Sequence, residues 1–165
     1  MIFNFKKHNS DLYNTLLYLS RNLFFYNKVK LLDKFETRIY LIFIHFSVIL
    51  ITFKKKKIKF PQESYDNLFN NIENNLRELG LGDVAVNKKM KDLNKIFYDI
   101  LIKLNSSKES FTVNRDLVLN YFLEFNETNS EKYEFFDLYF TKFYHFCFEK
   151  HHDIVIKEAI NFKVL

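Results

Sequence analysis

The sequence predicts an all-α, single-domain bundle of about six to seven helices, and three observations carry that expectation. Apolar residues recur at three- and four-residue steps along most of the chain, as they do in helices that bury one face. Helix breakers are almost absent, with one proline, Pro61, and two glycines, Gly80 and Gly82, among 165 residues. A hydrophobic content of 48% over this length suits one core of ordinary size. The domain is expected to run over 1–165, with aromatic-rich helices in 126–165 packed on the rest.

The first helix is read from Ser10, as N-cap, to Ser20, with Leu12, Leu16 and Leu19 on one face. Arg21 to Leu32 mixes aromatic residues with Asn and Lys and reads as a short helix plus a connector. Asp33 followed by Glu36 resembles a capping box at the head of a long apolar helix ending near Phe53. The run Ile39 to Phe53 would span about 22 Å as a helix, short of a ~30 Å bilayer core, and His45 and Ser47 interrupt it. A buried core helix is the favoured reading, with a membrane-embedded or membrane-lying segment as the other.

Pro61 marks the first turn of the next helix, where a missing N–H costs nothing. Tyr65, Leu68, Phe69, Ile72, Leu76 and Leu79 form its apolar stripe. Gly80 stands where a left-handed residue would close that helix, and Asp83 where a side chain could cap the following one. Val86, Met90, Leu93, Phe97, Ile100 and Leu104 then make a second stripe, opposite Lys88, Lys91, Asp92, Lys95 and Asp99. The glycines divide the two patterns at a corner where neither position is expected to tolerate a side chain. Asn105 to Ser110 and Asn126 to Ser130 read as connectors flanking a helix over Asn114 to Phe125. Glu131 to Phe148 reads as an aromatic helix, and a last helix starts near Asp153.

Composition limits the functional classes only weakly. Twenty-one Phe and ten Tyr, with lysine far outnumbering four arginines, match AT-rich codon usage, so the aromatic belt reads first as core and second as a sticky surface. A net charge of +5 favours acidic partners such as anionic lipid or RNA. Lys54, Lys55, Lys56 and Lys57 suit a helix C-terminus, or alternatively contact with a membrane or ribosome. The lone Cys147 cannot form an intrachain disulfide, and a reducing compartment follows. The N-terminal MIFNFKKHNSDLYN has neither the apolar core of a secretory signal nor the Arg-rich character of a transit peptide, so no export is expected.

Motifs for phosphate loops, nucleophile elbows and zinc proteases are absent, and catalytic residues are expected to be none. His145, Cys147, His151 and His152 are the best metal candidates, with Cys147 and His151 spaced i, i+4 on one helical face, yet two ligands do not make a site and the expectation is no metal and no cofactor. His45 reads as a hydrogen-bonded core histidine. Arginine is scarce here, so Arg38 and Arg77, with Glu78 and Asp83, are candidates for planar bidentate contacts, either within the fold or to a partner.

Asn75-Leu-Arg-Glu-Leu-Gly-Leu-Gly-Asp-Val-Ala-Val-Asn-Lys-Lys-Met90 followed by Phe97-Tyr98, together with Phe25-Tyr26, Asp33, Arg38 and His45, resembles the ubiquinol–cytochrome c chaperone family. The resemblance covers about 13–125. Thr37, Asn87 and Asp99 stand where that family has glycines, Asn87 being a residue that tolerates left-handed backbone. The resemblance implies an all-helical, non-enzymatic assembly factor that holds cytochrome b of respiratory complex III before its haems and partner subunits arrive. It further implies a small partner protein, proximity to the ribosome, and a bacterial setting in the cytoplasm or at the cytoplasmic face of the inner membrane, with no DNA. Arg38, His45, Arg77, Glu78, Gly80, Gly82, Asp83, Lys88 and Lys89 are the implied partner- or client-binding residues. A basic helical module that binds ribosomal RNA or anionic membrane is the alternative.

Overall fold

The computed structural model describes residues 11–105, 110–125 and 130–164. The expected Ser10 cap and most of the two polar connectors lie outside them. Among the described residues there is no strand. The helices are α1 (Asp11–Ser20), α2 (Leu23–Asn27), α3 (Phe35–Lys55), α4 (Gln62–Glu78), α5 (Asp83–Asn105), α6 (Arg115–Tyr121), α7 (Ser130–Glu149) and the single turn α8 (Val155–Glu158), which runs into a 3-10 turn, Ala159–Asn161.

The bundle is built around α3. This helix is apolar on every side, and a helix with no polar stripe is stable only when covered all round. Accordingly α1, α5 and α7 pack against it, and fourteen of its residues are buried. Phe43 lies 5.3 Å from Phe97 of α5 and 6.0 Å from Phe69 of α4, ring centre to ring centre. Phe46 stacks on Phe97 at 5.5 Å. A different face of α3 turns His45 into the rings of Phe140 and Phe143 on α7, at 4.8 and 5.0 Å. At 21 residues α3 reaches about 31 Å, long and apolar enough to cross a membrane, and the bundle uses it as a buried strut. The core reading of 39–53 is the one the fold adopts.

Three local expectations are corrected. Asp33 and Glu36 do not form a capping box: Lys34 is the N-cap of α3, without a side-chain cap bond, because Asp33 is engaged with Arg38 at 2.9 Å. Pro61 occupies the N-cap of α4, one position earlier than the first turn. The helix expected over Asn114 to Phe125 stops at Tyr121. Its start follows the rule, with the Asn114 side chain accepting from Asp116 N–H at 2.8 Å. Asn87 is an ordinary turn of α5 and needs no left-handed backbone.

Candidate functional site: an arginine-rich end of the bundle

The α4–α5 corner closes with both bonds of a Schellman motif. Gly80 N–H donates to Arg77 C=O at 2.9 Å and Leu81 N–H to Leu76 C=O at 3.4 Å. This requires left-handed backbone at the residue after the cap, and Gly80 has φ +94°. Gly82 is different. Its φ is unexceptional and a Cβ built on it would meet nothing within 4 Å. The expectation that both glycines exclude a side chain therefore holds for Gly80 alone. Gly82 precedes the first residue of α5, and its C=O accepts from Val86 N–H at 2.9 Å. That places it at the cap position expected for Asp83.

Asp83 is instead the first residue of α5, and its carboxylate pairs with the Arg77 guanidinium across the corner. Glu73 approaches the same guanidinium at 3.8 Å. Both arginines singled out by scarcity are thus used inside the fold, Arg38 on Asp33 and Arg77 on Asp83. Every residue from Arg77 to Ala85 is nonetheless exposed. Leu79, Leu81 and Val84 bring apolar surface to this exposed run, Val84 being 85% accessible. Lys88 continues the exposed face into α5, and Lys89 is half-buried.

A hydrogen bond that sequence reasoning missed joins the end of α4 to α1 through Tyr13. The amide of Asn75 donates to the Tyr13 hydroxyl at 3.2 Å. Burial pushes the Tyr13 phenol up, and Asn75, Arg21, Glu78 and Arg38 all act on it, the three cations and donors lowering and Glu78 raising it. Tyr26, whose hydroxyl donates to Ser20 C=O at 2.8 Å, is pushed up to about 12 by burial and by Asp33, against Arg38 and Arg21. Arg21, Arg38 and Glu78 therefore all act electrostatically on one phenol. The scarcity of arginine was the available signal for Arg21, one of four in the chain.

His45 is not part of this surface. It is fully buried, so its expected role in partner binding is corrected to one in the core. Its Nδ1 lies 2.6 Å from Leu41 C=O and its Nε2 2.8 Å from the Tyr139 hydroxyl. A carbonyl only accepts, so Nδ1 carries the proton, Nε2 accepts, and Tyr139 donates. Burial drives the ring down to about 3 and keeps it neutral.

Lys54 to Lys57 stand at the other end of α3, roughly 24 Å from Arg38 by helical rise. Lys55 lies over the Tyr144 ring at 5.0 Å and Lys56 over Phe148 at 5.4 Å, with the Lys56 ammonium donating to Lys150 C=O. Lys54 and Lys57 are exposed. Lys57 takes φ +59° and closes α3 in the same way as Gly80 closes α4. The four candidate ligands do not come together: Cys147 is buried, its thiol pushed well up by that burial, whereas His145 is exposed.

The profile of the ubiquinol-cytochrome C chaperone family matches residues 27–130, which include Arg38, the corner and all of α3 to α6. The chain belongs to that family. Membership supports a chaperone role in assembling the ubiquinol–cytochrome c reductase. No curated protein and no solved structure is matched by the chain. The corner sets exposed aliphatic side chains beside an arginine held in place by ion pairs, a combination that protein contacts use.

Proposed function

We propose that this family member is a non-enzymatic chaperone that holds cytochrome b, its client, through the α4–α5 corner. The observation that carries the reading is the unbroken exposure of Arg77 to Ala85 within the span matched to the family. The fold buries fourteen of the 21 residues of its longest apolar helix, so α3 has little free face to offer a client. Leu79, Leu81 and Val84 are among the exposed apolar side chains and fall together in the run beside Arg77, and a transmembrane client has matching apolar surface to shield before insertion. Arg77, Glu78, Gly82 and Asp83 supply the polar frame of the contact, with Arg38 and Arg21 behind them and Lys88 and Lys89 along α5. Gly80 serves by shaping the turn.

The work is done in the cytoplasm of a bacterial cell, at the cytoplasmic face of the inner membrane and near the ribosome, with a small protein partner. Lys54 and Lys57 are the lysines of the basic run without a ring beneath them and carry the contact with anionic headgroups or ribosomal RNA. The test is crosslinking from translating cells with a photoreactive residue at Leu81. Recovery of nascent cytochrome b is expected, lost in Leu81→Asp and Val84→Asp, both exposed positions where the fold is kept. Capture of cytochrome b unchanged by both substitutions, or no capture at all, would overturn the assignment.

A further inference from the structure

A second constellation lies at the end of α7, separate from the corner. His151, His152 and Asp153 follow the helix directly, and their side chains converge. Asp153 Oδ2 is 3.4 Å from His151 Nδ1, and Asp153 Oδ1 is 3.2 Å from His152 Nε2. The three donor groups fall within 4.8 Å of one another. A tetrahedral ion with bonds of about 2.0–2.1 Å to nitrogen and oxygen needs ligand atoms about 3.3–3.4 Å apart. The two contacts run to different oxygens of Asp153, so a carboxylate bound through one oxygen has one edge of that length already, and modest rotations of the carboxylate and of the more exposed imidazole shorten the other two.

The arrangement is held by its surroundings. Phe53 meets the His152 ring edge-on at 6.3 Å, and the two imidazoles face each other at 4.3 Å. Asp153 N–H donates to His151 Nδ1 at 3.3 Å, so this nitrogen carries the lone pair in the metal-free protein and an ion would take it in place of that bond. Ile154 and Val155 N–H both donate to His151 C=O, at 3.0 and 3.1 Å, and tighten the turn. The C-terminal end of the 20-residue α7 adds a negative pole that favours a cation. Two neighbouring lysines are engaged elsewhere, Lys56 with Lys150 C=O and the Phe148 ring and the Lys150 ammonium with the Phe146 ring at 5.0 Å. Asp153 also borders a groove of about 790 Å³ between α1, the start of α4 and α8, which Asp11, Asn14, Thr15 and Ser64 help to line.

We propose that His151, His152 and Asp153 form a site for one borderline divalent transition ion, zinc(II) being the chemical type, with a coordination position left for water or a ligand. Two imidazoles and one carboxylate select such ions over magnesium or calcium, which prefer all-oxygen shells. The site fixes the turn between α7 and α8. It needs no contribution from Cys147.

The test uses the full, tag-free chain and zinc in competition with a chromophoric chelator, with cobalt(II) absorption as a second readout of geometry. One-to-one binding with a dissociation constant on the order of 10 μM or tighter and a raised melting temperature are expected. His152→Ala and Asp153→Asn should each weaken binding at least about tenfold, and His145→Ala should not. The metal-free melting temperatures of these variants report whether they fold. The proposal is overturned by no saturable binding below about 100 μM, or by folded variants that bind zinc as tightly as the parent. A negative result here leaves the corner reading intact, since that reading is tested by crosslinking to cytochrome b.

Discussion

The two glycines of the corner separate the needs of the fold from those of the surface, and a pair of substitutions measures the difference. Gly80→Ala places a Cβ on a residue at φ +94°, where left-handed backbone costs an L-residue roughly 1–2 kcal/mol. Restricting the unfolded chain returns about 0.4–1 kcal/mol, leaving a net loss of about 1 kcal/mol. Gly82→Asn meets open space at an ordinary φ. There, an asparagine is at least as good an N-cap as glycine, so stability should hold or rise by a few tenths of a kcal/mol. Urea unfolding followed by far-ultraviolet circular dichroism reads both variants. A chain of this size shifts by about 2–4 °C per kcal/mol, so the two melting temperatures should differ by several degrees, with Gly80→Ala below the parent. Equal losses in both variants, or a larger loss at Gly82, would refute the assignment of the turn geometry to Gly80. The same Gly82→Asn protein then tests the surface: full stability with reduced capture of cytochrome b is the outcome the corner reading requires.

Four other outcomes follow from the core and the helix ends. The His45 ring titrates near 6.5 when unfolded and about 3 when folded. The unfolded chain therefore binds more protons below pH 6.5, and this contribution to stability is complete above that pH and falls by about 1.4 kcal/mol per unit toward pH 3; urea midpoints between pH 7 and 4.5 should fall accordingly. Tyr139→Phe removes the donor to the buried Nε2 and should cost about 1–3 kcal/mol by the same assay. Ser47→Ala should be neutral or stabilising by about 1 kcal/mol in thermal unfolding, because the buried Ser47 hydroxyl has no partner. Lys57→Gly should raise the melting temperature modestly, by relieving about 0.5–1 kcal/mol of left-handed strain at φ +59°.

How far the sequence could be read depended on whether a feature is carried by residue type alone. Stripes such as Leu68, Ile72 and Leu76 are periodic in the letters themselves, so α4 and α5 were legible to within a residue or two. Gly80 was legible for the same reason. Gly82 was not, because an identical letter two positions on can have an ordinary φ, and only the backbone distinguishes them. The Asp33–Glu36 pattern failed as a cap because a guanidinium five residues ahead competes for the carboxylate, and a charge-assisted bond to Arg38 outweighs a bond to backbone N–H. The aromatic tail had too many rings for periodicity to say which faced inward. Packing decides it: Tyr139, Phe140 and Phe143 close on α3, and Phe148 remains partly exposed. Tyr13 and Arg21 lay outside the motif blocks, so only three-dimensional proximity could attach them to Arg38 and Glu78.

The distribution of cations along α3 bears on which end of the bundle meets a partner. Three of the four arginines, Arg21, Arg38 and Arg77, gather at the end where α1 finishes, α3 begins and α4 turns into α5. Lysine, the cation that the composition supplies by default, occurs at both ends, and at the far end of α3 Lys55 and Lys56 are spent on two rings of α7 and on the Lys150 carbonyl just past it. Exposed ion pairs such as Arg77–Asp83 contribute little stability, at most about 1 kcal/mol, so stability alone does not explain keeping arginine where lysine would serve. What the guanidinium adds is a planar donor set held in a fixed orientation beside exposed leucine and valine. That combination is useful to a partner and nearly irrelevant to the fold, which is the physical reason to look for the client at the corner and not at the tetralysine. Arg77→Lys isolates the point: stability unchanged within about 0.5 kcal/mol, with client capture reduced, is what planar recognition demands, whereas capture unchanged would return Arg77 to a purely local role.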